Sequence, residues 1–280
     1  MFRYFYKDFK ITMFQEQLFD ANGVQINFSQ ASASGQPIVL LHGTASEWQS
    51  FLPVIPVLAR DFQVYAIDLR GHGKSSWVPE GYCLLDYAKD IQCFLYQHIA
   101  QPAILYGHSL GAQIAIAVAA QAPAHVRALV LGDPPFYYHT MTMKESVWYE
   151  PFVELHHVIS SFHSAQEVDG YMAKNYPNMD QQRRKNRAET LSHVDPDAVA
   201  AILEDRHVAG YDTDALLRQI NCRVLLIQGN TKLGAALRDE DLTYMVERLH
   251  HCEVIHMQDV GHGLPTGESL SRVEAFLKSI

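Results

Sequence analysis

The chain of 280 residues reads as an α/β fold: a mostly parallel, eight-stranded sheet flanked by helices, with an inserted helical cap. Three observations predict it. Short, continuous apolar runs recur with helical patterns between them, and such runs fit strands buried on both faces of a parallel sheet. One run passes through a Gly-x-Ser-x-Gly turn straight into a helix-like stretch. The alternation lapses once, between Pro134 and about Leu217, where no buried strand is legible.

The elements follow in order. Residues 1–12 are aromatic but interrupted by Arg3, Lys7, Asp8 and Lys10, unlike the apolar core of a signal peptide. They are expected to be an upstream extension or an arm packed on the surface. Residues 15–20 and 24–28 flank Asn22-Gly23 and predict a β-hairpin. Buried strands are expected at 37–41, 62–67, 103–106, 128–131, 224–227 and 253–256. Helices are expected at 48–59, 84–100, 109–122, 242–250 and 268–280. Strands alternating with helices imply right-handed crossovers and helices on both faces of the sheet. The helical stretch after Pro134-Pro135 falls at the strands' C-terminal edge, where open α/β sheets bind ligands. The expected organisation is therefore a core of residues 1–135 and 216–280, with a cap of residues 136–215 over the site.

Composition narrows the function. A net charge of −9, from 22 basic and 31 acidic residues, argues against nucleic acid or an anionic membrane surface as partner. A small-molecule substrate is expected instead, and a homodimer stays open. No segment reaches the ~18 consecutive apolar residues of a membrane span. Cys83, Cys93, Cys222 and Cys252 form neither Cys-x-x-Cys nor a zinc spacing, which fits a reduced, cytoplasmic protein. The adjacent pairs His156-His157 and His250-His251 cannot converge on one metal at helical spacing. There is no dinucleotide fingerprint, and Asp68-Leu69-Arg70-Gly71-His72-Gly73-Lys74-Ser75 lacks phosphate-loop spacing and reads as a structural turn. No metal and no cofactor is expected.

The chemistry centres on Gly107-His108-Ser109-Leu110-Gly111. A serine bracketed by glycines at a strand-to-helix junction is a nucleophile elbow, which lifts Oγ above the sheet at a helix N-terminus. A serine hydroxyl is a poor nucleophile until a base takes its proton. His262 follows the last strand, between Gly261 and Gly263, and is the candidate base.

Four motifs now stand in sequence: Leu40-Leu41-His42-Gly43, the stretch Asp68 to Ser75, the elbow, and Gly261-His262-Gly263. With them the chain resembles the α/β-hydrolases of the serine-nucleophile, cap-bearing type over nearly its whole length. The resemblance implies Ser109 as nucleophile, His262 as base, and the backbone N–H groups of Leu110 and Thr44 as the oxyanion hole. It also implies an acid after the seventh strand, but Asn230 and Lys232 stand where a carboxylate is expected in Gly229-Asn230-Thr231-Lys232-Leu233-Gly234. Asp133, closing the sixth strand, is the leading candidate, with Asp239 as the alternative. Both also have ordinary roles, Asp239 as helix N-terminal charge. Among the cap aromatics Phe136, Tyr137, Tyr138, Trp148, Tyr149, Phe152 and Phe162, some are expected to form the lid's own core and some to face the serine. Trp48 is a further candidate for the substrate pocket.

The expected function is a cofactor-independent serine hydrolase cleaving a small, mainly apolar ester or related carbonyl compound through an acyl-enzyme. Two alternatives remain: a carbon–carbon bond hydrolase, and a ligand receptor or signalling module with slow or no turnover. Haloalkane dehalogenases and epoxide hydrolases of the same fold use an aspartate at the elbow, so Ser109 speaks against both.

Overall fold

The computed structural model describes residues 14–32 and 34–280; residues 1–12, expected above to be an extension or arm, lie outside them. Strands β1 (Gln15–Ala21), β2 (Val24–Ala31), β3 (Gln36–Leu41) and β4 (Phe62–Ile67) come first. They are followed by β5 (Ala103–His108), β6 (Val126–Gly132), β7 (Arg223–Gln228) and β8 (Cys252–His256). All eight join one sheet in the order β1-β2-β4-β3-β5-β6-β7-β8. β1 and β2 form the expected hairpin, with Asn22 and Gly23 at φ 55° and 96°, the signs a two-residue hairpin turn of this kind requires. β2 also pairs antiparallel with β4, and from β4 to β8 every pairing is parallel.

Why the central strands read as unbroken apolar runs is visible in the side-chain alternation. Val39 and Leu41 of β3, Leu105 of β5 and Leu129 and Leu131 of β6 face one core. Their neighbours Ile38, Leu40, Ile104, Tyr106, Ala128 and Val130 face a second core across the sheet. Each face is covered by helices, so both halves of the period-2 pattern are apolar.

The second core is closed by Trp48, Phe51 and helix α1 (Ile55–Leu58), the first by α2 (Leu84–Phe94) and α3 (Leu110–Gln121). The single helix expected over 48–59 is thus a 3₁₀ turn, Trp48–Phe51, and the short α1. Pro53 and Pro56 lack the N–H that a continuous helix needs at those positions. The stretch 84–100 begins as expected but leaves α2 through a π-helical turn, Leu95–Ile99, and stops at Ala100 with φ 54°.

Between β6 and β7 the chain forms α4 (Tyr149–Ser161), α5 (Ala165–Asn175), α6 (Gln181–Ser192), α7 (Pro196–Leu203) and α8 (Thr213–Arg218). Asp180, Asp195 and Asp212 each accept a backbone N–H at the start of α6, α7 and α8, the capping that sets where those helices begin. Val158, Ile159, Val168, Met172, Leu191 and Val199 pack together as a separate cluster that also encloses Ala45, from the loop after β3. Arg187 Nη1 donates to Ala45 O (2.6 Å) and Thr190 Oγ1 to Glu47 Oε1 (2.9 Å), so α6 is tied to that same loop.

The chain closes with α9 (Asp239–Val246) and α10 (Gly267–Lys278). α9 starts and ends earlier than expected, because Asp239, Glu240 and Asp241 supply the acidic first turn that favours a helix N-terminus. Among the described residues no helix is long and apolar enough to cross a membrane.

Candidate active site

β5 ends at His108 and α3 starts at Leu110, which leaves Ser109 alone to turn the chain. It does so at φ 54°, ψ −119°, a strained conformation for a residue with a Cβ. The glycines on either side make the turn sterically possible. A Cβ on Gly107 would stand 2.2 Å from Gly111 O, and one on Gly111 would stand 2.0 Å from Leu41 O. The Ser109 N–H donates to Gly132 O (2.8 Å), locking the turn against the end of β6.

Two side chains from distant loops converge on that serine. His262, in the loop between β8 and α10, has Nε2 3.0 Å from Ser109 Oγ and Nδ1 2.7 Å from Asp133 Oδ2. An ionised carboxylate can only accept, so Nδ1 carries the proton and Nε2 accepts from the serine hydroxyl. Asp133 is fully buried, and the loop between β7 and α9 wraps its carboxylate in amides. Gly229 N–H (3.0 Å) and Leu237 N–H (3.2 Å) donate to Oδ1, and Ala236 N–H (2.8 Å) donates to Oδ2. Burial by itself would raise the carboxyl's pKa. The hydrogen bond and charge of His262, with the Ala236 and Gly229 amides, outweigh it and hold Asp133 below the ordinary carboxylate value.

The other acid candidate lies elsewhere. Asp239 opens α9, is exposed, and accepts from Gln228 Nε2 (2.8 Å). Asn230 is equally occupied: its Oδ1 accepts Lys232 N–H (3.0 Å) and its Nδ2 donates to Gln258 O (2.6 Å).

The loop after β3 forms the facing wall. A Cβ on Gly43 would lie 3.0 Å from Ser109 Cβ and 3.5 Å from Oγ, so this backbone rests against the serine. Two buried histidines hold it. His42 Nε2 accepts Leu69 N–H (3.0 Å) and leaves Nδ1–H to donate to Gly43 O (2.7 Å). His72 Nε2 accepts Ala45 N–H (3.1 Å) and Nδ1–H donates to Arg70 O (2.9 Å). Burial lowers their pKa values to about 4 and about 3, which keeps both neutral and able to accept. Asp68 completes the scaffold by accepting from Trp48 N–H, Lys74 N–H and Asn27 Nδ2.

A cavity of about 370 Å³ opens over Ser109 and His262, with Thr44, Tyr137, Trp148, Phe152 and Arg187 among its walls. Trp48, expected at this pocket, is not part of it. Its ring is buried in the second core against Phe14, and its Nε1 donates to Glu16 Oε1 (2.9 Å), on the far side of the loop. Trp148 stands at the cavity instead, its ring centroid 5.9 Å from that of His262. The other aromatics divide: Phe152 lines the cavity, Phe136 is buried in the first core, and Phe162 packs within the α4–α7 cluster. Arg187, Leu155 and Ile202 also line it but carried no signal in the sequence, since each lies on a helix whose other residues pack or solvate in the ordinary way. Among the described residues no group of three His, Cys, Asp or Glu side chains could hold a metal ion.

The fold agrees with comparison to known proteins: the chain belongs to the alpha/beta hydrolase fold family, whose model matches residues 36–209. Among individual proteins it is similar to 2-(acetamidomethylene)succinate hydrolase of Mesorhizobium japonicum, 32% identical over 171 residues. That match covers 61% of this chain and 59% of the relative. N-formylmaleamate deformylase of Pseudomonas putida is 35% identical over 120 residues, 41% of this chain and 43% of that protein. The chain thus spans well under two thirds of either curated relative. The crystal structure of E-2-(acetamidomethylene)succinate hydrolase superposes with a TM-score of 0.70 over 95% of this chain and 97% of that one, at 24% identity. That likeness speaks for the fold alone.

Proposed function

We propose that the chain is a cofactor-independent serine hydrolase that cleaves a small, mainly apolar ester or related carbonyl compound through an acyl-enzyme. The observation that carries this reading is the unbroken relay Asp133–His262–Ser109, with contacts of 2.7 and 3.0 Å. As the Ser109 oxygen attacks the carbonyl, His262 Nε2 takes its proton, and Asp133 holds the ring and balances the imidazolium. The oxyanion is received by the N–H groups of Leu110 and Thr44. Leu110 opens α3, where the first amides have no acceptor within the helix; the Gly43 backbone rests against Ser109, and Thr44, next in the chain, lines the same cavity. Collapse expels the leaving group, which takes the proton from His262. Water then gives that histidine a proton as it attacks the acyl-serine, and on collapse His262 returns the proton to Ser109 Oγ, freeing the acid and the serine.

The helices of residues 136–215 act in this reading as a cap, with Trp148, Phe152, Leu155 and Ile202 forming the roof over the serine. A cavity of about 370 Å³ is at the small end for ligand pockets, which supports a compact substrate. The relatives described above act, by name, on 2-(acetamidomethylene)succinate and N-formylmaleamate, also compact molecules. Four unpaired cysteines are in keeping with a reducing, cytoplasmic setting.

The test is a fluorophosphonate probe together with p-nitrophenyl acetate. One covalent label, on Ser109 alone, and turnover lost in Ser109→Ala are expected. Saturable ester binding with no turnover and no label would favour a receptor and sink the hydrolase reading.

A further inference from the structure

We propose that Arg187 anchors a carboxylate of the substrate, so that the cavity takes a short ester or amide bearing a free carboxylate a few bonds from the scissile carbonyl. This rests on the serine-hydrolase reading for the reaction and, from the cavity, narrows the substrate of that reading from a mainly apolar compound to one with a single anionic end.

Arg187 differs from its neighbours on α6. Arg183 and Lys185 are exposed, and Arg184 donates to Asp169 (2.7 Å). Arg187 instead lines the cavity, its Nη1 donating to Ala45 O (2.6 Å), and among the described residues it has no ion pair. The acid whose field reaches it is Glu47, which accepts from Thr190 Oγ1 and makes no direct contact with the guanidinium. Burial pulls the arginine's pKa below its ordinary value, against the field of Glu47. A guanidinium nonetheless stays charged, with five N–H donors, and only one is used on Ala45. A largely desolvated cation with no carboxylate in contact is costly, and its free donors are best satisfied by an anion supplied from outside.

The surroundings select that anion. No aspartate or glutamate lines the cavity, so among the described residues Arg187 supplies its one permanent charge, in a protein of net charge −9. His108 and His207 line it too, but burial lowers them to about 3 and about 4 and keeps them neutral. The fixed fork of an arginine suits a carboxylate held through two hydrogen bonds. Its anchor point, Ala45, directly follows Thr44, the proposed oxyanion donor, and consecutive Cα atoms lie ~3.8 Å apart. A carboxylate on Arg187 and a carbonyl at Thr44 therefore belong to one short molecule.

The experiment compares monomethyl succinate with methyl 4-oxopentanoate, the same skeleton with a neutral acetyl in place of the carboxyl. The wild-type protein should favour the anion by about tenfold or more in kcat/KM. In Arg187→Met that ratio should fall to about one, whatever the absolute rates, and Arg187→Lys should keep part of it. Indifference or preference for the neutral ester in the wild type overturns the proposal, and this comparison stands even if Arg187→Met does not fold. If neither ester nor p-nitrophenyl acetate is turned over, the hydrolase reading has failed, and calorimetry with succinate decides separately on Arg187. Binding that disappears in Arg187→Met upholds the anchor, and no binding at millimolar succinate overturns it.

Discussion

Asp133 and His262 stand 129 positions apart in the chain and meet at 2.7 Å, Oδ2 to Nδ1. The contact joins the end of β6 to the loop after β8, on either side of β7, and the loop after β7 contributes only amides to it. Asp133→Asn is therefore expected to lower kcat by about 10⁴-fold, since an amide cannot balance imidazolium and can fix the wrong tautomer. It should also cost about 1–3 kcal/mol of stability, because an NH₂ must then face a backbone N–H of Ala236, Gly229 or Leu237. Asp239→Asn should leave kcat about unchanged and cost roughly 0.5–1.5 kcal/mol at the start of α9. The two variants, assayed and melted in parallel, separate the acid from the helix-start charge; loss of activity in Asp239→Asn alone contradicts the assignment.

His262→Ala should lose on the order of 10³-fold or more in kcat, as expected of one member of a unit. The sharper expectation concerns the pair: Ser109→Ala with His262→Ala should be no slower than the worse single variant. Steady-state rates on one ester decide it. Additive losses would mean the two side chains act separately.

How far the sequence carried the reading depended on how local each feature is. The strands were legible because burial on both faces makes each one apolar throughout, and Ser109 because the elbow's steric demand falls on Gly107 and Gly111, two positions either side. Helix continuity failed at Pro53 and Pro56, a local signal outweighed by the apolar periodicity around it. The missing carboxylate after β7 pointed toward Asp133, but its amide cradle arises only when β6 and β7 pair. Trp48 and Trp148 could not be told apart by type or by nearby motifs; which one reaches the site is decided by the packing of the helices after β6. Arg187 sits in the segment Arg183-Arg184-Lys185-Asn186-Arg187, which reads as a solvated face, and only tertiary contact with Ala45 singles it out.

The elbow's geometry yields a stability contrast between two glycines. Gly111→Ala places a Cβ 2.0 Å from Leu41 O, a backbone atom at the end of β3, held between β4 and β5 and unable to move aside. The expected loss exceeds ~4 kcal/mol, enough to unfold a domain of ordinary stability. Gly170 is exposed in α5, and a Cβ there would meet nothing within 4 Å, so it should gain roughly 0.5–1 kcal/mol on becoming alanine. Thermal melts of the two variants settle both expectations, and a Gly111→Ala protein as stable as wild type would contradict the packing described.

Acid should weaken the fold through its buried histidines, starting above the ordinary carboxylate range. Burial depresses His42 and His207 to about 4, and His72 and His108 to about 3, from an ordinary value near 6.5. Unfolding returns each to water, where it binds a proton below pH ~6.5. Between pH ~6.5 and ~4 the unfolded chain therefore holds protons that the folded chain does not, and stability falls as pH drops through that window. The slope is about 1.4 kcal/mol per pH unit for each histidine, while above ~6.5 the contribution is full and flat. Asp133, held below the ordinary carboxylate value, adds its own loss only at lower pH, as its carboxylate is protonated in the folded state. Melting temperatures should be level from pH 8 to 7 and decline steeply toward pH 5. A flat profile down to pH 5 would show that these four rings are not held neutral, and with it that His42 and His72 do not accept the amides of Leu69 and Ala45.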